Sequence, residues 1–117
     1  MEQGNLGTCS TGIQPNIAAF LSYVLGFISG LIFYLIEKDN KFVRFHAMQS
    51  ILVFGLLAVL HFTNMFVLFF VPWVLRSAIS MIISLATLVL WILLMIKAYR
   101  GEYFKLPIAG DIAEQNS

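Results

Sequence analysis

Two histidines and one cysteine are the side chains in this sequence that most often carry catalysis or bind metals. His46 and His61 are fifteen residues apart, so on one helix they are separated by roughly 22 Å at about 1.5 Å per residue. That distance prevents them from sharing a metal ion within one chain. Cys9 is the single cysteine, which excludes an intramolecular disulfide and any site built from several cysteines. The spacing therefore predicts no metal site and no cofactor.

Catalytic motifs are also missing. The sequence holds no phosphate-cradling glycine loop, no HExxH pattern and no GxSxG pattern. No Asp or Glu occurs in residues 3–36 or 45–96, which disfavours a carrier that moves protons through intramembrane carboxylates. We predict a protein that is not an enzyme and that has no catalytic residue.

One polar stripe has an orientation that can be argued from spacing. Ser50, His61 and Asn64 are eleven and three residues apart, so they fall along one side of a helix. An ionisable group in the middle of a membrane segment is by default a functional hypothesis. Two interpretations stay open: a neutral His61 bonded to Asn64 or to a serine of another span, or a lining of a pore or substrate path.

The segments that must position these residues are apolar. Apolar types make up 60% of the chain and charged types 11%, against about 25% charged in typical soluble domains. No charged residue occurs between Glu2 and Glu37, between Arg44 and Arg76, or between Arg76 and Lys97. Each window is long enough for the roughly 20 residues that cross a bilayer as a helix. We predict an all-α integral membrane bundle of three transmembrane helices, about 16–36, 47–71 and 74–96.

The domain organisation follows from these windows. Residues 1–15 are rich in Gly, Asn, Ser and Thr and predict a disordered tail. Residues 16–105 form the predicted transmembrane domain, and residues 106–117 a C-terminal tail that is apolar enough to fold back in part. A rival interpretation splits the second window at His61–Asn64 into two further spans, which would be short for a bilayer.

Basic residues set the predicted orientation. They flank the first link and follow the third span, whereas the N-terminal tail has none. The positive-inside rule then places the first link and the C-terminus in the cytoplasm. With three spans the N-terminus lies outside, in a multi-pass protein of the cell membrane. The two clusters are Lys38, Lys41 and Arg44, and Lys97, Arg100 and Lys105.

Small residues recur at helical spacing in two of the spans. In the first they are four residues apart and predict one face that another backbone can approach closely. Whether that partner is a helix of this chain or of another subunit stays open. The predicted packing positions are Ala18, Ser22, Gly26 and Gly30 in the first span and Ser77, Ser80 and Ser84 in the third.

Two stretches carry a family resemblance: residues 42–50, FVRFHAMQS, and residues 97–111, KAYRGEYFKLPIAGD. They resemble a small prokaryotic membrane domain of unknown function that is related to the chloroplast inner-envelope import component, and also the MamF-type magnetosome membrane proteins. The resemblance covers about residues 17–114 and implies a small helical membrane protein. It does not imply protein import, because the plastid members have four spans and three are counted here.

The residues that carry the resemblance all fall at the predicted cytoplasmic face. Such a signature suggests either a latch between the first link and the tail or a docking surface, with Arg44 and Asp111 as a conceivable ion pair. The matching residues are Arg44, His46, Gln49, Lys105, Pro107 and Asp111.

The sequence therefore predicts a non-enzymatic scaffold or assembly subunit of a membrane complex. Its expected partners are the lipid bilayer and a second copy or another membrane protein, and the net charge of +1 gives no reason to expect nucleic acid. The alternative is a channel or translocation-like subunit with a polar Ser50/His61/Asn64 path.

Overall fold

The structure is a computed structural model that describes residue 9 and residues 12–117, apart from the side chains of residues 67 and 68. Every regular element in these ranges is helical, so the all-α prediction is confirmed. A short 3₁₀ turn, Val67–Phe70, joins the two longest helices. The α-helices are α1 (Pro15–Val24), α2 (Phe27–Ile36), α3 (Lys41–Phe66), α4 (Trp73–Tyr99) and α5 (Ala109–Gln115).

The first predicted span, 16–36, is not one helix. It is divided into α1 and α2, of ten residues each, by a turn at Leu25 and Gly26. Gly26 has a φ of +64°, a conformation that glycine adopts without steric cost. Ten helical residues span about 15 Å, half of a hydrocarbon core of about 30 Å. The prediction of three spans is therefore wrong, and two helices, α3 and α4, are long and apolar enough to cross a membrane.

α1 runs antiparallel to α4. Near the start of α1, Asn16 Nδ2 donates a hydrogen bond to the carbonyl oxygen of Tyr99 at 3.0 Å. Near its end, the carbonyl oxygen of Tyr23 accepts a hydrogen bond from Trp91 Nε1 at 2.7 Å. The start of α1 and the end of α4 therefore lie at the same end of the molecule.

α2 returns to that same end. Gly26, at its start, faces Phe54 in the middle of α3. At its other end, the carbonyl oxygen of Tyr34 accepts a hydrogen bond from Arg44 Nη1 at 3.0 Å. α1 and α2 thus form a helical hairpin whose two open ends lie beside the start of α3 and the end of α4. We call this end of the molecule the shared end, and the opposite end, where α3 leads into α4, the far end.

The long helices begin and end at identifiable signals. α3 starts at Lys41, earlier than the predicted residue 47, because Asn40 caps it: Oδ1 accepts a hydrogen bond from the backbone N–H of Val43 at 3.1 Å. α3 then continues without a break through residues 61–64, which removes the four-span rival. α4 extends three residues beyond the predicted 96 and is followed by Gly101, whose φ is +78°.

The C-terminal tail returns to the outside of α3. α5 packs on α3 and buries Gly110 and Ala113 against the rest of the chain. The tail thereby covers the start of α3, so in the part of the chain that the structure describes five helices meet at the shared end and two at the far end.

Gly30 explains how closely the hairpin packs on α3. A Cβ atom at this position would lie 2.8 Å from the carbonyl oxygen of Ala47 and 2.9 Å from Cβ of Ser50. The small residue therefore serves a close contact within this chain. Because the chain turns at Gly26, the four predicted packing positions are divided between α1, the turn and α2 and do not form one continuous face.

Replacement of Gly30 by alanine is expected to lower the free energy of unfolding by up to about 2 kcal/mol. Overpacking costs about 1–3 kcal/mol, and the higher helix propensity of alanine offsets about 1 kcal/mol of that. Thermal unfolding in a mild detergent, followed by circular dichroism, measures the change.

Gly55→Ala is the matched control, because an added Cβ there meets nothing within 4 Å. It should leave the protein unchanged or slightly more stable. Equal stability of the two variants would contradict the close contact at Gly30.

Candidate functional site

Three polar side chains form a fully buried cluster at the shared end. Tyr23 comes from α1, and His46 and Gln49 lie about one turn apart on α3; all three have no exposed surface. The Tyr23 hydroxyl lies 2.7 Å from Nδ1 of His46, and Gln49 Nε2 donates to the same hydroxyl at 3.1 Å. We call these residues the latch cluster.

The partners of His46 fix the position of its proton. Nε2 of His46 lies 2.8 Å from the carbonyl oxygen of Glu102, and a carbonyl can only accept. Nε2 therefore carries the hydrogen, and Nδ1 accepts one from Tyr23, which in turn accepts from Gln49. Every donor in this chain of hydrogen bonds has an acceptor, so the buried groups are satisfied without an ion or ligand.

The latch cluster also holds the tail that follows α4. Gln49 Nε2 donates to the carbonyl oxygen of Phe104 at 2.9 Å, and its Oε1 accepts from the backbone N–H of Leu106 at 3.0 Å. Together with the bond from His46 to Glu102, three backbone groups of the tail are bonded to two side chains of α3. This is the geometry of a latch between the start of α3 and the tail.

A second polar group surrounds the link between α2 and α3. Arg44 Nη1 donates to the carbonyl oxygens of Tyr34 and Glu37, at 3.0 and 2.9 Å, and so satisfies the last carbonyls of α2. Oε2 of the buried Glu37 accepts from the backbone N–H groups of Asp39 and Asn40, both at 3.1 Å. The guanidinium of Arg44 also lies over the Tyr34 ring, 4.1 Å from its centroid. These contacts fix the turn that starts α3.

The remaining motif residues lie on the outside of the shared end. Lys105 Nζ lies 3.6 Å from Asp111 and 3.0 Å from Glu114. The conceivable pair of Arg44 with Asp111 is thus replaced by a pair of Lys105 with Asp111. Pro107 lines a shallow apolar groove of about 330 Å³ between α3, α4 and the tail.

Ser50 belongs to the turn of the hairpin and not to a polar path. Its hydroxyl oxygen lies 2.9 Å from the carbonyl oxygen of Ser22 and 2.8 Å from that of Gly26. Ala18, one turn before Ser22, is fully buried and accepts the hydrogen bond of the Ser22 hydroxyl at 3.0 Å. The predicted stripe is therefore divided, because α1 and α2 enclose Ser50, whereas His61 and Asn64 lie beyond the reach of the hairpin.

His61 and Asn64 do share a cavity, at the far end. It has a volume of about 620 Å³ and is also lined by Arg76, Ser77 and Ser80. Asn64 Nδ2 donates to the carbonyl oxygen of Arg76 at 3.3 Å, but its buried Oδ1 accepts no hydrogen bond from the described residues. Leaving a buried acceptor unbonded costs about 1–3 kcal/mol, so Oδ1 is an acceptor that the described residues leave without a donor. Ser84 lies further along α4, exposed and outside the cavity.

Tyr23, Trp91 and Glu37 are structural partners that the sequence interpretation did not select. Tyr23 carried a usable signal, because a phenol in an apolar segment needs a hydrogen-bond partner when it is buried. Within the described ranges, no group of three or more His, Cys, Asp or Glu side chains is placed to hold a metal ion.

Comparisons with known proteins place this chain among membrane proteins. A family model described as the magnetosome magnetite crystal formation protein family matches residues 8–113. A UPF0132 membrane protein of Methanocaldococcus jannaschii is 49% identical over 112 residues, which cover 96% of each chain. No solved structure matches the chain.

Two further relatives have similar names. A UPF0132 membrane protein of Archaeoglobus fulgidus is 44% identical over 88% of this chain and 95% of its own length. Another from Methanocaldococcus jannaschii is 43% identical over 89% of this chain and 71% of its own length. The resemblance to magnetosome membrane proteins is thus confirmed, and that to the chloroplast import component stays a prediction.

Replacement of Gln49 by leucine is expected to release the tail. It leaves the carbonyl of Phe104 and the N–H of Leu106 without their partner, at about 1–3 kcal/mol for each buried group. Because about 1.4 kcal/mol is a factor of ten, trypsin cleavage after Lys105 should be at least about tenfold faster. Limited proteolysis in detergent, resolved by mass spectrometry, measures this rate.

Met48→Leu, one residue earlier on α3, changes volume little and removes no hydrogen bond of the latch cluster. Its cleavage rate should match that of the unmodified protein. If Gln49→Leu were cleaved no faster than Met48→Leu, Gln49 would not hold the tail.

Proposed function

Since the chain belongs to the magnetosome magnetite crystal formation protein family, and its matched relatives are named membrane proteins, we propose that it is a non-enzymatic scaffold of the cell membrane that assembles with a second copy of itself. In this proposal α3 and α4 cross the bilayer, and α1 and α2 enter and leave it from one side. The names of the relatives support the membrane setting, and the magnetite in the family's name is not proposed for this chain.

Charge supports the placement in the membrane. Six of the seven Lys and Arg residues lie in residues 38–44, which cover the link and the start of α3, or in residues 97–105, at the shared end. Arg76 lies at the far end, near the start of α4. By the positive-inside rule the shared end faces the cytoplasm. The start of α1 then faces the cytoplasm as well, because Asn16 is bonded to Tyr99.

The outer face of α4 is the observation that carries the assembly proposal. Of the 27 residues in this helix, only Leu94 and Ala98 are buried. A stripe of exposed residues, four and three positions apart, follows one line along it and includes two serines. We call this stripe, Ser77, Met81, Ser84 and Leu88, the α4 stripe.

A second copy of the chain is the occupant that suits the α4 stripe. In lipid, apolar contact alone does not drive helices together, whereas small residues let two backbones approach and hydroxyl groups bond across the contact. Ser77 and Ser84 are seven residues apart, so both recur on the side that would face a partner helix. Two copies related by a two-fold axis would pair the stripe with itself.

Burial of the reactive groups supports a structural role over an enzymatic one. His46 and Tyr23 have no exposed surface, and their polar atoms are bonded within the chain. Neither lines the described cavities at the far end or beside the tail. The latch cluster therefore serves to fix the cytoplasmic end of the scaffold.

Cys9 reports on the side of the membrane that its segment faces. Burial, followed by the nearby Glu37 carboxylate, raises the pKa of Cys9 to about 11, and the thiolate is the reactive form. We expect a membrane-impermeant maleimide to label Cys9 only in vesicles whose cytoplasmic side faces outward. In solubilised protein, the rate should rise about tenfold per pH unit up to about pH 11 and not level off near pH 9.

Two introduced cysteines in a Cys9→Ser background calibrate the labelling. Asp39→Cys, in the link, should react from the same side as Cys9, and Phe70→Cys, 95% exposed at the far end, from the other. Labelling of Cys9 from the side of Phe70→Cys would overturn the hairpin arrangement.

The assembly proposal predicts a disulfide between two copies at Ser84→Cys, in the Cys9→Ser background, after mild oxidation of native membranes. Ile82→Cys on the same helix is the control, because Ile82 is 67% exposed but lies on another side of α4. We expect Ser84→Cys to give a dimer and Ile82→Cys to give at most traces.

Ser84→Ile provides a second measurement that needs no crosslink. Its branched side chain prevents close approach and should shift the protein to the monomer in mild detergent, measured by light scattering, whereas Ile82→Val should not. A strictly monomeric unmodified protein, with no crosslink at Ser84→Cys, would contradict the proposal.

A further inference from the structure

The cavity at the far end combines a lone cation, hydroxyl groups and a buried acceptor without a donor. We propose that it binds the headgroup of a phospholipid, with the phosphate at Arg76 and a headgroup hydroxyl or ammonium group that donates a hydrogen bond to Asn64. The inference goes beyond the scaffold proposal. The two share Ser77, which lines the cavity and begins the α4 stripe, whereas Ser84 lies outside the cavity and tests assembly separately.

Arg76 supplies the anion preference. It is the only charged residue between Arg44 and Lys97, and within the described residues it forms no ion pair. The acidic residues after residue 36 all lie in the link before α3 or after α4, at the opposite end of the molecule. A guanidinium group matches the geometry of phosphate oxygens, and the position of Arg76 in the first turn of α4 adds the positive end of the helix dipole.

Asn64 sets a second requirement on the ligand, independent of its charge. The residue is 5% exposed and lines the cavity, and its Nδ2 is already bonded to the carbonyl oxygen of Arg76. Its Oδ1 has no donor among the described residues and less than 1 Å² of accessible surface, so a turn of the Asn64 amide toward the cavity is part of the proposed binding. The group that completes it must carry an N–H or O–H. A ligand that satisfies both residues therefore has a phosphate and a hydrogen-bond donor a short distance apart.

The walls of the cavity indicate that the phosphate belongs to a lipid and is not free in solution. Phe62, Met65, Phe66 and Phe69 line it, and each is more than 60% exposed, so the site opens onto an apolar surface. The 26 residues of α3 span about 39 Å, more than a hydrocarbon core of about 30 Å. The far end thus lies at the depth of lipid headgroups when the helices span the bilayer.

Binding of lipids to the full chain in mild detergent, measured by native mass spectrometry, tests the proposal. Phosphatidylglycerol and phosphatidylethanolamine carry a phosphate and a donor; phosphatidylcholine carries the phosphate but no N–H or O–H in its headgroup. We expect the first two to bind roughly tenfold more tightly than phosphatidylcholine, the usual effect of one buried hydrogen bond left unmade.

Variants separate the two contacts. Arg76→Gln should weaken all three lipids roughly tenfold, whereas Lys41→Gln, an exposed cation at the shared end, should change none of them. Asn64→Leu should leave the affinity for phosphatidylcholine unchanged and remove the advantage of the other two. If Asn64→Leu fails to fold, the ranking of the three lipids and the half-buried Arg76 variant still decide the question.

Two further ligands identify the source of the phosphate. Diacylglycerol, which lacks a phosphate, should bind much more weakly than the phospholipids, and inorganic phosphate at millimolar concentration should not displace them. Equal binding of all lipids, no effect of Arg76→Gln, or displacement by inorganic phosphate would each overturn the proposal. A monomeric Ser84→Ile variant should keep the same order of lipid affinities. Failure of the assembly proposal can therefore be told apart from failure of the lipid proposal.

Discussion

A helix that stops inside an apolar bundle leaves backbone groups that water cannot reach, and the structure depends on how this chain bonds them. At the turn between α1 and α2, Ser29 Oγ accepts from the N–H of Leu25 and donates to the carbonyl oxygen of Ser22. Ser50 of α3 and Trp91 of α4 supply further donors to the carbonyls of the turn. Irregular backbone at membrane depth is tolerated only where protein encloses it or where it lines a water-filled cavity, so under the proposed placement the hairpin and the two long helices require each other.

The return of the hairpin concentrates the polar contacts at one end. It places Tyr23 against His46 and Gln49, whose remaining hydrogen bonds reach the backbone after α4. A buried polar network stabilises a single arrangement only when all its members are bonded, and the latch cluster meets that condition through the tail. The hairpin, the start of α3 and the tail therefore act as one unit.

Because the hairpin reaches only about halfway along α3, none of the other helices in the described residues packs against the far halves of α3 and α4. This leaves the cavity beside Asn64 and Arg76 and the uncovered surface of α4. The two proposals assign these surfaces to a lipid headgroup and to a second copy of the chain. Rigid internal packing and available contact surface thus lie at opposite ends of one small protein.

The sequence by itself determined the long apolar helices and the concentration of cations in two clusters, and it contains Asn40 and Gly101, at which the structure begins α3 and ends α4. These features are local, because each depends on a window of residues or on one backbone conformation. Hydropathy could not distinguish a crossing helix from a hairpin of the same length, since both bury the same apolar residues. The two clusters of cations could not distinguish a crossing helix from a hairpin either. In both arrangements α3 and α4 lie between the clusters, so both clusters are on the same side.

Only the tertiary structure decided that the chain turns at Gly26, because the decisive donors, Ser50 and Trp91, lie 24 and 65 positions away in the sequence. It also decided where the predicted site residues lie and what they contact. His46 and Gln49 bond to backbone atoms of the tail, which carry no sequence signal, whereas Ser50 is separated from His61 and Asn64 by the end of the hairpin. Residue types set which groups needed partners, and the packing of distant segments determined which partners they found.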